Sequence, residues 1–234
     1  MGRTGRLLGA IVAAAIASAI GAPAFAQQSK AQQACIHALN KDAAKVGKAQ
    51  GKENVSCVKL GLKEPPAPNC PSADLKQKVA KNFSKALEDD VNRCQPSEPD
   101  FAYTSGGTAS VAYQQGELDL LTDVFGSLDL GPTISTDQSV GGCQLAVIKD
   151  VERISASAAQ SFVKCKKGAI KGDAVAVADI AACVGTDADT KVAAAATKLG
   201  TDITAKCNGV TIGAAFPGLC SGSMPGSRSS RTAG

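Results

Sequence analysis

The chain has 234 residues; 44% are hydrophobic, only 3% are aromatic, and the formal net charge is +4. The near balance of 25 basic and 21 acidic residues gives no electrostatic signature of a nucleic-acid-binding protein, so we expect no nucleic-acid partner. A chain without tryptophan and with few large side chains buries little apolar area, so disulfides are the expected second source of stability.

The N-terminus has the layout of a signal peptide. Arg3 and Arg6 precede an almost wholly apolar stretch at residues 7–20, and Ala-Phe-Ala at residues 24–26 forms a small-x-small cleavage site. That stretch is too short to span a bilayer comfortably, and no later stretch is longer. We therefore predict that residues 1–26 are a signal peptide and that the protein is secreted or periplasmic, without a transmembrane segment.

Eight of the nine cysteines form two matching sets. Successive cysteines are 22, 13 and 24 residues apart in the first set and 22, 18 and 24 apart in the second. The two sets are Cys35, Cys57, Cys70, Cys94 and Cys143, Cys165, Cys183, Cys207. Exported cysteines at such spacings indicate disulfides, and only the middle interval differs between the sets.

The intervals of 22 and 24 residues have the periodicity of helices, because apolar residues recur at every third or fourth position. Helix breakers separate the two arms of each set, and residues 71–74 and 185–187 resemble starts of the second arms. If the arms fold back on each other, cysteines at equal heights come within bonding distance. The predicted pairs are Cys35–Cys94, Cys57–Cys70, Cys143–Cys207 and Cys165–Cys183.

The two sets also share residues at registers fixed by the cysteines, which indicates an internal duplication. Matching pairs include Asp42 with Asp150, Asp74 with Asp187, Lys85 with Lys198 and Asp89 with Asp202. The predicted fold class is all-α, with two disulfide-braced antiparallel helical hairpins at residues 27–95 and 143–208.

The hairpins are joined by an acidic segment, residues 96–142, which contains seven acidic residues and no lysine or arginine. We expect it to be irregular apart from a short amphipathic helix around Leu118, Leu121, Val124 and Phe125 that ends at Gly126. Two alternatives stay open for its placement: it lies back on the basic faces of the hairpins, or it is a solvated linker.

Residues 209–234 are rich in Gly, Ser, Pro and Arg, which predicts a flexible tail. Cys220 belongs to neither set and is unpaired in this scheme. It is free, forms an intermolecular disulfide, or is the remnant of a third unit.

No residue pattern predicts a catalytic, metal or cofactor site. His37 is the only histidine and sits on an ordinary helix face. Closely spaced cysteine pairs and a calcium-loop pattern are both absent from the sequence. The remaining candidates are two lysine-rich faces, which are either solvated or meet an acidic partner. They comprise Lys76, Lys78, Lys81 and Lys85, and Lys164, Lys166, Lys167 and Lys171.

One further pattern runs through the second hairpin and the tail. It comprises Cys143-Gln144, Lys149, Cys165-Lys166-Lys167, Cys183, Lys191, Leu199, Lys206-Cys207 and Phe216-Pro217-Gly218-x-Cys220. This pattern resembles that of uncharacterised, secreted, cysteine-rich, multi-helical repeat proteins of bacteria. The resemblance implies helical hairpins and export, and it implies no activity.

These features predict a non-enzymatic structural or protein-binding module that acts outside the cytoplasm and needs no cofactor. The alternative is a carrier for a small molecule or lipid, held in an alanine-lined gap between the hairpins. A large apolar cavity favours the carrier, whereas a charged surface patch favours a protein partner.

Overall fold

The computed structural model describes residues 28–67, 69–172 and 176–218, so the predicted signal peptide and Cys220 lie outside the described residues. Every regular element within these ranges is helical, which confirms the predicted all-α class. The α-helices are α1 (Lys30–Gly61), α2 (Lys78–Asp89), α3 (Gly106–Phe125), α4 (Gln138–Lys171), α5 (Val177–Ala181), α6 (Lys191–Lys206) and α7 (Ile212–Ala215). None of them combines the length and apolarity that a membrane-spanning helix requires.

The two long helices, α1 and α4, begin at side-chain caps. Ser29 and Gln32 form a capping box at the start of α1, in which each side chain accepts the backbone N–H of the other residue. The carboxylate of Asp137 accepts the N–H groups of Ser139 and Val140 at the start of α4. These caps satisfy N–H groups that the first helical turn leaves without partners.

Four disulfides brace the fold. They join Cys35 to Cys94, Cys57 to Cys70, Cys143 to Cys207 and Cys165 to Cys183, the same pairs that the spacing predicts. The Cα atoms of each pair are 4.8 to 5.8 Å apart. We call residues 27–95 the first unit, in which α1 packs on α2, and residues 143–208 the second unit, in which α4 packs on α6.

The second helix of each unit begins later than the sequence indicates. Gln77 and Thr190, the residues before α2 and α6, have left-handed φ values of 51° and 54°. Asp74 accepts the backbone N–H groups of the second and third residues of α2, and Asp187 does the same for α6. These acids therefore cap the helices from outside instead of lying in their first turns.

The units pack through α1 and α4, which run antiparallel. The side chain of Asn54 donates to Glu152 near one end of the contact, and Lys166 donates to Asn40 near the other. The largest apolar core lies where Cys57–Cys70 of the first unit meets Cys143–Cys207 of the second.

The acidic segment differs from the expected irregular connection with a short helix, because α3 is 20 residues long. Leu118, Leu121, Val124 and Phe125 of α3 are buried in the core. None of the ion pairs among the described residues involves an acid of this segment. Apolar burial holds the segment in place, so it is neither docked by ion pairs nor a solvated linker.

Within the predicted flexible tail, three of the ten described residues, Ala215, Phe216 and Gly218, are buried against the fold. Phe216 is buried, with its ring centroid 5.8 Å from that of Phe125. Gln144 donates to the carbonyl of Ala215 at 2.8 Å. Burial of one large aromatic side chain outweighs the turn-rich composition of the residues around it. Residues 219–234 lie outside the described ranges.

Candidate functional site

An open cleft of about 790 Å³ runs along α1, between α2 on one side and α4 on the other. We call its small or apolar lining residues the floor: Ala34, Ala38 and Ala44 of α1 and Val163 of α4, of which Ala34 is exposed and the other three are half-buried. Its rim is basic, with seven Lys or Arg side chains from the two long helices, from α2 and from the turn that follows α2. They are Lys41, Lys45, Lys48, Lys85, Arg93, Lys164 and Lys167.

The two acids that line the cleft, Asp42 and Asp89, are already paired. Asp89 accepts Lys85 Nζ at 3.0 Å and Arg93 Nε at 3.2 Å, and Asp42 accepts Lys45 Nζ at 2.6 Å. Burial acts to raise the pKa of Asp89, but hydrogen bonds with Asp42, Lys85 and Arg93 outweigh it and lower the pKa to about 2. Asp89 is therefore charged, and the charge is neutralised locally.

The other basic side chains of the rim keep most of their charge uncompensated. Lys164 binds Asp189 at 2.7 Å. The ion pairs among the described residues do not include Lys41, Lys48 or Lys167. Three lysines from two helices thus face one cleft without an acidic partner, which gives it a positive potential.

His37 also lines the cleft. Burial lowers its pKa, and the nearby Lys167, Lys171 and Lys41 lower it further. Its Nε2 atom is buried and has no hydrogen-bond partner. Burial is thus the main cause of the lowered pKa of His37, and the positive potential of the three lysines contributes the rest.

The positive surface continues past both ends of the cleft. A pocket of about 420 Å³ adjoins it at Lys45 and Lys48 and also contains Lys52, Lys78 and Lys81. A pocket of about 350 Å³ adjoins the other end and contains Lys30, Lys167 and Lys171. From Lys30 to Lys52 this surface follows α1 for about 33 Å, at 1.5 Å per residue.

The predicted lysine faces are divided by the structure. Lys85, Lys164 and Lys167 lie in the cleft, and Lys78, Lys81 and Lys171 lie in the adjoining pockets. Lys166 does not share this surface: its Nζ donates to Asn40 and to the carbonyl of Ala102, and burial lowers its pKa. Lys76 is exposed just before α2.

Sequence reasoning missed the role of α1 and of His37 in this site. Lys41, Lys45, Lys48 and Lys52 follow one another at helical spacing of three or four residues, which was a usable signal. The approach of His37 to Lys167 depends on how α1 packs on α4, and no sequence pattern encodes that packing.

A second constellation, a buried carboxyl pair, lies where α1, α3 and α4 meet. Glu117 of α3 and Glu152 of α4 are 6% and 9% exposed. Asn54 donates to Glu152 at 2.8 Å and to the carbonyl of Glu117 at 2.9 Å, and Ser155 donates to the Glu117 carboxylate at 2.7 Å. A Cβ atom at Gly51 would overlap the Glu152 carboxyl, so the small residue makes room for the pair.

Within the carboxyl pair, Glu152 holds its proton at neutral pH. Burial raises the pKa of Glu152 to about 9, with further contributions from a hydrogen bond to Glu117 and repulsion by its charge. Perturbed acids of this kind also occur in active sites. Here both side chains are enclosed by three helices and bonded to them, which indicates a structural role in joining α1, α3 and α4.

Among the residues that the structure describes, no group of three or more His, Cys, Asp or Glu side chains is arranged to hold a metal ion. Comparison with known protein families, curated proteins and solved structures finds no match to this chain. The cleft is therefore the feature of the molecule that bears on its function.

Proposed function

We propose that the protein is a secreted, non-enzymatic binding module that binds an acidic partner protein through the cationic cleft. One observation carries the proposal: seven basic side chains surround the cleft, and the only acids there are neutralised by three of them. Four disulfides within one chain are typical of proteins that fold in an oxidising compartment, which supports export.

The composition of the cleft favours a protein partner over nucleic acid. Six of its seven basic residues are lysines, and none of its 15 lining residues is Phe, Tyr or Trp. Single-stranded nucleic acids bind mainly by stacking on aromatic side chains, and arginine is the better two-pronged ligand for phosphate. Lysines on flexible stems suit separate carboxylates instead.

A second candidate is a carrier for a small amphipathic anion such as a fatty acid. The alanine-lined floor of the cleft supports it, because an alkyl chain can lie there while its carboxylate meets the lysine rim. The volume of about 790 Å³ falls within the range of small-molecule sites.

Binding of poly-L-glutamate to the purified mature protein tests the proposal. The variant Lys41→Ala/Lys48→Ala/Lys167→Ala removes the three unpaired rim lysines, and we expect its affinity to fall about tenfold. The matched control, Lys59→Ala/Lys63→Ala/Lys149→Ala, removes the same charge from exposed positions outside the cleft. It should retain near wild-type affinity, and raised salt should weaken binding to the wild type.

The same assay separates the two candidates. Equal weakening in both triple variants, or no binding of poly-L-glutamate, would overturn the proposed protein partner. Tight binding of dodecanoate that only the cleft variant loses, without binding of poly-L-glutamate, would establish the carrier instead.

A further inference from the structure

We infer that the acidic partner presents an amphipathic α-helix of about four turns, which lies along α1 in the cleft. The inference rests on the proposed function and specifies the shape of the segment that the cleft binds.

The length of the cleft supports a helix. Its lining residues on α1 extend from Ala34 to Lys48. That span is about 21 Å at 1.5 Å per residue, which is the length of a helix of about 14 residues. A fatty-acid headgroup needs only one end of such a trough, whereas a helix contacts all of it.

The surroundings of α1 leave one side open for another helix. Three helices, α2, α3 and α4, pack against α1, and the cleft occupies the side between α2 and α4. The floor residues Ala34 and Ala38 are one helical turn apart, so they form a shallow strip on which another helix can approach closely. A helix seated there would complete the ring of neighbours around α1.

The chemistry of the cleft matches the two faces of an amphipathic helix. The apolar floor suits an apolar stripe, and the basic rim on both walls suits acids on either side of that stripe. Lys41, Lys45 and Lys48 are spaced by four and three residues along α1. Acids at the same spacing on a partner helix lie about one turn apart and can meet them.

Other occupants fit less well. Binding as an added β-strand needs a sheet edge, and the described part of the chain contains no strand. Only Asp173 is acidic among the residues outside the described ranges, so those residues cannot supply the acidic helix. The acidic helix α3 of a second copy is also unsuitable, because Leu118, Leu121 and Phe125 of its apolar face are already buried.

The test compares three synthetic peptides of 16 residues built from Glu, Ala and Leu, with the same number of Glu and of Leu residues in each. The first places Leu on one face of a helix with Glu on both sides. The second is identical except for a central proline in place of one alanine, which breaks the helix. The third scrambles the order so that Leu is distributed around the helix.

We expect the amphipathic peptide to bind the wild-type protein about tenfold more tightly than the other two peptides. Circular dichroism should show that it gains helix on binding. The variant Ala38→Leu, which fills part of the cleft, should weaken binding of the amphipathic peptide more than binding of poly-L-glutamate, because only the peptide places an apolar stripe there.

The outcomes distinguish failure of the inference from failure of the proposed function. If all three peptides bind equally and the cleft variant Lys41→Ala/Lys48→Ala/Lys167→Ala weakens all of them, the cleft binds acidic chains but the helical inference is overturned. If no peptide binds but poly-L-glutamate does, only the helical inference is overturned. If neither the peptides nor poly-L-glutamate bind, or the control triple variant weakens binding as much as the cleft variant, both are overturned.

Discussion

The two disulfide-braced units share their internal contacts and differ in what surrounds them. In each unit a buried aspartate of the first helix lies against an aspartate of the second, Asp42 beside Asp89 and Asp150 beside Asp202. A lysine four residues earlier in the second helix binds the second aspartate, Lys85 in one unit and Lys198 in the other. Duplication of one unit stays a prediction, and these repeated contacts support it.

The cationic cleft is lined by residues of α1 at which the sequences of the two units differ. By the cysteine register, Lys48 corresponds to Ala156, Lys52 to Gln160 and His37 to Leu145. The lysine stripe of α1 is thus reduced on α4, although the braces are kept. The two units therefore keep the disulfides that stabilise the fold and differ on the exposed helix face that lines the cleft.

The largest expected effect is the loss of stability when each unit loses the disulfide that joins the start of its first helix to the end of the unit, Cys35–Cys94 or Cys143–Cys207. In the loop-entropy model, Cys143→Ala/Cys207→Ala and Cys35→Ala/Cys94→Ala each lower the free energy of unfolding by about 4 kcal/mol. Their local effects should differ, because α2 packs on both α1 and α3, whereas α6 packs chiefly on α4 and has one buried residue. Amide hydrogen exchange should show that α6 loses protection in the first variant and that α2 keeps more of it in the second.

If the amides of α2 and α6 lose protection equally, the contact of α2 with α3 does not stabilise α2 when its disulfide is removed. The variant Cys165→Ala/Cys183→Ala is a useful control, since it removes a bridge from the same unit at the opposite end of α4.

The next effect concerns the carboxyl pair, which joins the units through α1, α3 and α4. Glu152 has a folded pKa of about 9 against an ordinary value of 4.5, so the folded protein binds the extra proton between these pH values. Its contribution to stability is complete below pH 4.5 and is lost as the pH rises towards 9. The free energy of unfolding should fall by up to about 1.4 kcal/mol per pH unit in this window.

Urea denaturation of Glu152→Gln at several pH values checks this expectation. The amide keeps the shape of the protonated acid, so the pH dependence should flatten, whereas Glu88→Gln at an exposed position should leave it unchanged. An unchanged slope in Glu152→Gln would mean that Glu152 ionises normally in the folded protein.

A smaller effect tests the equivalence of the helix caps. Asp74→Ala and Asp187→Ala each remove a carboxylate that accepts two backbone N–H groups. We expect each to lower the free energy of unfolding by about 1 kcal/mol, measured by urea denaturation. A loss in one variant alone would break the equivalence of the units at this position.

Sequence reasoning predicted the parts of the fold that cysteine spacing and helical periodicity determine. It underestimated α3 because the first half of that helix contains Gly106, Gly107 and Ser110, whose propensity for helix is low. Packing on α1 and α2 stabilises this half in the fold. Phe216 was missed for a similar reason: one large side chain decides the position of a segment whose average composition indicates flexibility.

The site was less predictable than the fold. Periodicity identifies which residues share one helix face, but the cleft requires α1, α2 and α4 to lie side by side. Glu117 lies in α3, outside both units, and Glu152 lies in α4, so the raised pKa of Glu152 depends on how these helices pack and not on a sequence pattern. The lysine-rich faces predicted Lys85, Lys164 and Lys167 of the site, and the lysine spacing on α1 was a further signal in the sequence.

The most direct test of the cationic cleft is the NMR titration of His37, with and without saturating poly-L-glutamate. It is the only histidine, so its imidazole signal is unambiguous. An acidic chain in the cleft offsets the field of Lys41, Lys167 and Lys171, so the pKa of His37 should rise, while burial still holds it below its ordinary value. Binding that leaves the pKa of His37 unchanged would place the acidic chain elsewhere and contradict the cleft as the binding site.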